Sequence, residues 1–481
     1  KIIEKFNLKK NWYWFVFAII GGFGYWIRTR NLNLLIDITT NKYFPADPDA
    51  ASFLRYAKYI LENGSLMTVD YMRYYPWGYD NMVEFKLLSY AIVYLYKFLH
   101  FFNTAMTLEK ADVIYPPIAF VIGLVFFFLL VKKLFDYRVA LVSSLLLTII
   151  PMYLFRTIAG VGDKEAFSMI LFFVSLYFFF LGWGNKSWKY NIFFGSISGI
   201  ITGSMALVWG GVQFIIFIIG IFTLISLFFI KFRNNNFITY FSWLVLTFIL
   251  LKILRGYEIQ GLVTGFDTGF VFFVLICAVI YYLLFIKNMF KLKDKIKGRF
   301  PLGISALVIG VVAGSVFFTV FIDSKFLVAK FADLYVTLTS PFGQSRWALT
   351  VAEAHQPYFV DWIGQTSWKY IWMVLIGSIW MFYEASNKFL DKRNKVIGTA
   401  LYSFMLFGLV FNRYSPNSIL NGQSTISRWF YFGSFILFVL VSLIYYLYIF
   451  KKDKELFNEK KNINEYYILT LIWLFIMLIG A

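Results

Sequence analysis

Long apolar runs separated by polar segments are the feature that most constrains the fold of this chain. The run from Tyr115 to Val131, for example, contains no Asp, Glu, Lys or Arg. A helix needs about 20 mostly apolar residues to cross a bilayer. The composition agrees, because 60% of the residues are hydrophobic and 15% are charged, whereas soluble domains have about 45–50% apolar and about 25% charged residues. The sequence therefore predicts an all-α polytopic membrane protein.

Clusters of Lys and Arg indicate which loops face the cytoplasm. The net charge is +19, and cytoplasmic loops hold an excess of basic residues, so this charge needs no nucleic acid partner. If the spans alternate, the basic start Lys1–Lys10 and all later clusters lie on one side: Lys132, Lys133 and Arg138; Lys186 and Lys189; Lys231 and Arg233; Lys287 to Arg299; Lys388 to Lys395; Lys451 to Lys461. The pattern predicts about 13 transmembrane helices with two large external loops, residues 28–112 and 323–367.

One apolar stretch, residues 85–102, is interpreted as a helix lying on the outer leaflet. Lys86, Ser89, Lys97 and His100 recur at helical spacing, which is typical of an interfacial helix. Counting the stretch as a span would place most basic clusters outside, against the positive-inside bias. The last predicted span then ends on the external side.

Three polar motifs with acidic side chains fall on that external side. They are Asp47-Pro48-Asp49, Asp163-Lys164-Glu165, and Thr350 to Pro357 with Glu353 and His355. Acids drawn together beside apolar spans without a cation would cost several kcal/mol each. Hard oxygen ligands without a nearby cysteine favour Mg²⁺ or Mn²⁺ over zinc. The motifs together indicate a divalent cation.

Each motif also has an ordinary structural interpretation. Asp-Pro-Asp is a common helix-capping sequence, and Asp163 and Glu165 are compatible with solvated loop charges. A lone loop histidine such as His355 is more often hydrogen-bonded than metal-bound. Cys277, the single cysteine, lies in an apolar run and excludes an internal disulfide.

Four stretches resemble the catalytic subunit of N-oligosaccharyltransferase, of the archaeal and eukaryotic kind, within the glycosyltransferase C superfamily. They are Asp49 with Arg55 six residues on; Arg156 to Glu165, with its Ala-Gly and Asp-x-Glu; Thr350 to Pro357, with Thr-x-x-Glu and His-Gln-Pro; and Arg428. Their order and their common side of the membrane match the family.

The resemblance implies transfer of an oligosaccharide from a polyprenyl (dolichyl) phosphate or diphosphate lipid to the amide of Asn in Asn-x-Ser/Thr sequons, outside an archaeal-like cell membrane. It implies catalytic roles for Asp49 and Glu353. It also implies Mn²⁺ or Mg²⁺ ligands at Asp49, Asp163, Glu165 and Glu353, and a lipid-phosphate contact at Arg428. It implies that Asp47, Arg156 and His355 lie next to these residues and position them, without contacting the metal ion themselves.

The sequence departs from the family pattern at two points. Ala354 separates Glu353 from His355, which are adjacent in the eukaryotic pattern. The Trp-Trp-Asp motif that reads the acceptor hydroxyl residue is absent, and it is expected in an extracytoplasmic domain after residue 481. Two alternatives stay open: another lipid-linked-sugar glycosyltransferase of the superfamily, and a transporter.

Overall fold

The computed structural model describes residues 8–81, 84–296, 299–339, 357–387, 390–452 and 465–480. Within these residues the chain is mostly helical, as predicted. The helices are α1 Leu8–Thr29, α2 Pro48–Asn63, α3 Leu87–Phe102, α4 Leu108–Leu134, α5 Tyr137–Ile149, α6 Pro151–Phe155, α7 Lys164–Trp183, α8 Trp188–Met205, α9 Val212–Phe229, α10 Asn234–Arg255, α11 Ile259–Thr264, α12 Phe266–Tyr281, α13 Leu292–Ile296, α14 Leu302–Phe321, α15 Phe326–Thr339, α16 Phe359–Thr366, α17 Trp368–Ser386, α18 Lys392–Phe411, α19 Thr425–Lys452 and α20 Glu465–Gly480.

Eight helices in the described part of the chain are long and apolar enough to cross a membrane. They are α4, α7, α9, α10, α12 with its continuation to Ile286, α14, α18 and α19. Three shorter helices, α3, α5 and α20, are also apolar. The chain is thus an integral membrane protein, while the count of about 13 spans and the sidedness of the loops remain predictions.

Two local features differ from the sequence-based expectation. The apolar run after residue 140 is not one helix, because α5 ends at Ile149 and α6 starts at Pro151. Proline lacks the N–H that would continue the helical hydrogen bonds, and it disfavours a helical residue before it. The first loop also contains a short antiparallel hairpin, β1 Val69–Asp70 and β2 Tyr79–Asp80, in a chain predicted to be entirely helical.

The chain divides into two compact units. The first comprises the described residues up to Ile215 together with Ile238–Leu262, and the second comprises Ile216–Phe237 together with the described residues from Val263 onward. In the first unit, α7 packs between α4 and α8. A cluster of buried side chains joins α1, α4 and α5: Phe17, Ile20, Phe120, Leu124, Phe128, Ala140 and Leu141.

Close helix packing in the first unit depends on three glycines of α8. A Cβ at Gly199 would lie 2.4 Å from the backbone oxygen of Trp243, and Gly195 and Gly203 approach α10 equally closely. Small residues every fourth position let membrane helices touch, and polar side chains then bond across the interface. Here the Trp243 indole N–H donates to Thr202 Oγ1 at 3.0 Å.

The second unit has one close glycine contact and one cluster of buried side chains. Gly310 of α14 lies against Cys277 of α12, with its ideal Cβ position 2.5 Å from the Cys277 Sγ. Elsewhere Phe359 of α16 joins a buried cluster with Leu375 of α17 and with Tyr402, Met405, Leu406, Leu409 and Val410 of α18.

Helix α3 corresponds to the stretch predicted to lie on the outer leaflet. It packs on α2 and α4 through Leu88, Ile92 and Val93, which are buried, while Phe98 and Phe101 are exposed. The helix therefore forms part of the first unit, and its position relative to the bilayer remains a prediction.

Candidate active site

Asp49 lies in the first turn of α2, where local hydrogen bonds fix its backbone. The Asp47 carboxylate accepts hydrogen bonds from the backbone N–H groups of Asp49, at 2.8 Å, and Ala50, at 3.4 Å. Pro48 occupies the first helical position, where its missing N–H costs nothing. Asp47 thus acts as a helix cap, and it leaves the Asp49 carboxylate 62% exposed.

The segment before Asp163 is tied to three other parts of the first unit by backbone hydrogen bonds. Ala159 N–H donates to Arg28 O, Gly160 N–H donates to Val113 O, and Ala46 N–H donates to Gly160 O, each at 2.9 Å. Gly160 has a φ of +84°, a conformation that glycine adopts at no steric cost. These bonds bring the segment against the start of α2, so Asp163 comes close to Asp49.

Arg28 anchors the same segment from the buried end of α1. Its side chain is fully buried; its Nε donates to Thr157 Oγ1 at 2.7 Å, and its Nη1 donates to the backbone oxygens of Gly24 and Thr148 at 3.1 Å. The guanidinium also lies 3.5 Å from the centroid of the Phe120 ring, where the negative face of the ring attracts a cation.

Asp49, Asp163 and Glu165 lie in one cluster with two cationic side chains. Lys164 Nζ is 3.6 Å from Asp49 Oδ2 and 3.3 Å from Asp163 Oδ1. Arg156 Nη1 is 3.5 Å from Asp163 Oδ2 and 3.9 Å from Glu165 Oε2. The structure therefore brings together four residues singled out from the sequence, and it adds Lys164 as the link between the two aspartates.

The cluster is incomplete as a metal site within the described part of the chain. No three His, Cys, Asp or Glu side chains there are grouped so that they could hold a metal ion. Glu353 and His355, which the sequence analysis predicts to lie with these acids, are outside the described residues. The described acids are hard oxygen donors, as Mg²⁺ and Mn²⁺ prefer, and their donor chemistry fits such an ion.

Two residues of α4 lie beside this cluster and were missed from the sequence. Tyr115 is buried and donates its hydroxyl to the backbone oxygen of Asp163. Asp112 is buried, and neither of its carboxylate oxygens has a hydrogen-bond partner among the described residues. The available signal was an acidic residue one turn inside an apolar helix, where charges are rare and often functional.

Arg428 lies in the first turn of α19, in the second unit. The loop before it is closed by hydrogen bonds from Tyr414 N to Leu420 O at 2.7 Å and from Gly422 N to Asn412 O at 3.0 Å. Arg428 is exposed and lines a groove of about 330 Å³ with Tyr335, Thr425, Trp429 and Phe432. The side chain of Arg428 is thus accessible to a ligand in a groove lined mostly by aromatic residues.

Arg55, which the sequence resemblance paired with Asp49, binds the hairpin of the first loop through Asp70. Arg55 Nη1 donates to Asp70 Oδ1 at 3.0 Å, and the Tyr56 hydroxyl donates to Asp70 Oδ2 at 2.9 Å. The hydrogen bonds from Arg55 hold the pKa of the Asp70 carboxyl at about 2, below its usual 3.8. Arg73 continues the network by pairing with Glu84.

We expect Asp70→Asn to lower the free energy of opening the hairpin by about 1–3 kcal/mol, because the substitution leaves Arg55 without its charge partner. The pKa of Asp70 is lowered in the folded protein, so its stabilising effect is complete above about pH 4 and disappears as the pH falls towards 2. Hydrogen exchange of residues 66–81, corrected for the intrinsic pH effect, measures both changes. Glu62→Gln, an exposed change on α2, is the control; equal protection in all three proteins would contradict the network's role.

Comparison with known proteins places the chain beside oligosaccharyltransferases. The family model described as "Oligosaccharyl transferase STT3, N-terminal" matches residues 15–479. A dolichyl-diphosphooligosaccharide–protein glycosyltransferase subunit STT3B from Arabidopsis thaliana is 27% identical over 158 residues, which are 32% of this chain and 21% of the relative.

Solved structures from Archaeoglobus fulgidus share the fold. The oligosaccharyltransferase AglB in complex with an inhibitory peptide and a dolichol-phosphate has a TM-score of 0.61 at 18% identity, over 93% of this chain and 51% of that chain. The enzyme tethered to an acceptor peptide containing the NVT sequon has 0.59 at 17%, over 97% and 55%, and its complex with Zn and sulfate has 0.55 at 17%, over 95% and 52%. The chain spans about half the length of these proteins.

Proposed function

The chain belongs to the oligosaccharyl transferase STT3 family, and from this premise we propose that the protein transfers an oligosaccharide from a polyprenyl (dolichyl) phosphate or diphosphate lipid to the side-chain amide of Asn in Asn-x-Ser/Thr sequons. The reaction takes place on the extracytoplasmic face and uses a divalent cation. The observation that carries the proposal is the cluster of Asp49, Asp163 and Glu165, joined by Lys164 and Arg156, in a chain of this family.

The acceptor amide sets the chemical problem. Its nitrogen is a weak nucleophile because the lone pair is delocalised into the carbonyl group, so it must be held in position for attack. Carboxylates of Asp49 and Glu353 would accept hydrogen bonds from the amide N–H groups and orient the nitrogen towards the sugar carbon. The exposed side chain of Asp49, on a backbone fixed by the Asp47 cap, suits this contact.

The residues that would hold Mn²⁺ or Mg²⁺ are Asp49, Asp163, Glu165 and Glu353. Such an ion would offset the negative charge that develops on the leaving phosphate. Two features of the described residues support a cation here. Glu165 Oε2 is buried without a hydrogen-bond partner among them, and the Lys164 ammonium already lies between two of the carboxylates.

Arg428 would bind the phosphate of the lipid donor. A guanidinium forms forked, charge-assisted hydrogen bonds to phosphate oxygens, and the aromatic groove beside Arg428 offers an apolar surface for the lipid chain.

We expect Arg428→Ala to raise the KM for the lipid-linked donor by about tenfold to hundredfold, the equivalent of a lost hydrogen bond to a charged group, with little change in the KM for the peptide. Arg428→Lys should recover only part of the loss, because it keeps the charge but not the fork. Lys325→Ala, another exposed basic residue of the second unit, is the control. An equal rise in both KM values would exclude a specific donor contact.

The decisive experiment is a transfer assay with the protein expressed from its full reading frame and reconstituted with lipid-linked oligosaccharide. An Asn-x-Thr peptide should gain the glycan, whereas the matched Gln-x-Thr peptide should not. Transfer of the sugar to a lipid or a hydroxyl acceptor, with none to the Asn peptide, would favour another glycosyltransferase of the superfamily.

A further inference from the structure

Two segments of the chain have the form Asn-x-Ser, which is an acceptor sequence of the proposed reaction. They are Asn63-Gly64-Ser65, at the end of α2, and Asn185-Lys186-Ser187, just after α7. No other Asn-x-Ser or Asn-x-Thr occurs in the sequence. The two segments differ in their position relative to the acidic cluster.

Asn63 lies on the same side of the membrane as Asp49. Both residues belong to α2, which has 16 residues and also carries Arg55, Lys58 and Glu62. A helix this short and this rich in charge does not cross a bilayer. Asn63 is therefore on the side of the acidic cluster, whatever the total number of spans.

Asn185 lies on the opposite side. Helix α7 begins beside the cluster, with Asp163 as its N-cap, and is long and apolar enough to cross a membrane. Its 20 residues rise by about 30 Å, which is about the thickness of the hydrocarbon core. Asn185 follows Trp183, the last residue of α7, by two positions, so the membrane separates Asn185 from the cluster.

The segment at Asn63 is accessible to an enzyme. Asn63, Gly64 and Ser65 are all exposed, and the Asn63 carboxamide nitrogen donates to the Tyr59 backbone oxygen of its own helix at 3.0 Å. Gly64 ends α2 with a φ of +82°. Helix ends open at little cost in free energy, so the last turn of α2 can release the Asn63 carboxamide.

The Asn63 amide does not reach the active site of its own copy. Asn63 follows Asp49 by 14 positions on one helix, which corresponds to about 21 Å along the helix axis. Buried side chains of Phe53, Leu54 and Ile60 hold α2, which packs on α3 and α4. The separation is therefore set by the fold, and transfer to Asn63 requires a second molecule.

We propose that Asn63 is a glycosylation site of this protein and that a second copy of the same enzyme modifies it. The inference rests on the proposed function. The Asn63 amide nitrogen forms a bond to the anomeric carbon of the first sugar of the donor. The bond between that carbon and the phosphate oxygen breaks, its electron pair stays on the lipid phosphate, and the amide proton passes to a carboxylate of the acting copy. Asn185 stays unmodified, because it lies on the other side of the membrane.

The test compares the two segments in cell membranes, where the protein has one orientation. The full reading frame is expressed in a host that makes the lipid-linked oligosaccharide and whose own oligosaccharyltransferase gene is deleted. Mass spectrometry should detect the glycan on peptide 59–73, which trypsin releases by cutting after Lys58 and Arg73, and should detect none at Asn185. A glycan at Asn185 with none at Asn63 would overturn the inference.

Substitutions in the segment separate recognition from accessibility. Ser65→Ala keeps the asparagine and should lower the glycosylated fraction at Asn63 by about tenfold or more, because a site that binds a hydroxyl rejects an acceptor without one. Ser65→Thr keeps the hydroxyl and should stay modified. Asn63→Gln should lose the glycan while transferring to an Asn-x-Thr peptide within about twofold of the wild type, since exposed substitutions have small effects. An unchanged glycosylated fraction in Ser65→Ala would contradict the proposal.

An affinity-tagged Asp49→Asn protein identifies which copy acts. Expressed alone, it should carry no glycan at Asn63, and co-expressed with the untagged wild type it should gain one. A glycan on the tagged protein expressed alone would assign the modification to another enzyme, and an unmodified tagged protein beside a modified wild type would show transfer within one copy. Either result overturns the inference.

Transfer to an Asn-x-Thr peptide separates this inference from the proposed function. Membranes of the same cells are assayed with the peptide and the lipid-linked donor. A glycosylated peptide together with an unmodified Asn63 would overturn the inference alone. No transfer to the peptide or to Asn63 would overturn the proposed function as well.

Discussion

Asp49→Asn, Asp163→Asn and Glu353→Gln should each reduce glycan transfer to an Asn-x-Thr peptide by about hundredfold or more. Each change keeps the shape of the side chain and removes one ligand charge. For Asp49 and Glu353 it also removes an acceptor for the amide protons, a contribution of about 10²–10⁴ in rate when it acts in the transition state. The measurement is the initial transfer rate at saturating donor and peptide. Excess chelator should abolish transfer by the wild type, and added Mn²⁺ or Mg²⁺ should restore it.

The matched control for Asp49 is Glu62→Gln, because Glu62 lies on the same helix, is exposed and loses the same charge. Its transfer rate should stay within about twofold of the wild type, since isolated surface charges contribute little. Full transfer in excess chelator would remove the cation from the mechanism. Restoration by Zn²⁺ but not by Mn²⁺ or Mg²⁺ would overturn the ligand preference inferred from the hard oxygen donors.

Gly160→Val should both destabilise the first unit and inactivate the protein, although Gly160 touches no substrate. A β-branched residue at a φ of +84° is strained by about 1–2 kcal/mol. Its Cβ would also lie 2.7 Å from Leu35 Cδ1, which adds about 1–3 kcal/mol of overpacking. Relief of these clashes must move the segment that carries Asp163, so we expect a lower Tm and at least about a tenfold loss of transfer.

Gly22→Val is the control for this substitution. Gly22 lies on the exposed face of α1 with no heavy atom within 4 Å of its ideal Cβ position, so the larger side chain meets open space. Thermal unfolding in detergent and the transfer assay are run on both variants. If Gly160→Val keeps the wild-type Tm and rate, the backbone bonds around residue 160 do not position the acidic cluster.

The extent of successful prediction differs between the fold and the site. Membrane class and helical architecture followed from the apolar runs, and the family followed from short motifs near Asp49, Asp163, Glu353 and Arg428; both conclusions are confirmed. The first and second acidic motifs do lie together, around Lys164, although their catalytic and ligand roles remain predictions. The third motif, with Glu353 and His355, remains a prediction from the sequence alone.

Other features were missed in the sequence analysis. Pro151 itself signals the break between α5 and α6, but the average hydropathy of the run does not show it, and no local pattern indicated the hairpin at Asp70. Arg55 appears in the family motif, yet here it hydrogen-bonds Asp70, a partner that spacing alone does not identify. Asp112 looks like the polar end of a loop in the sequence, whereas in the structure it is one turn inside α4 and fully buried.

The sequence by itself determined that this protein lies in a membrane, and it fixed the order of the acidic motifs along the chain. Hydropathy is summed over neighbouring residues, so long apolar runs predict membrane-spanning helices without knowledge of tertiary contacts. Only the tertiary structure decided which charges meet. Asp49, Asp112 and Asp163 are far apart in sequence, and their proximity depends on backbone bonds through Gly160 and on the space that Gly162 leaves between α2 and α4. Because the interaction of two charges depends on their separation and on the surrounding dielectric, the pairing of Lys164 and the isolation of Asp112 are properties of the folded chain.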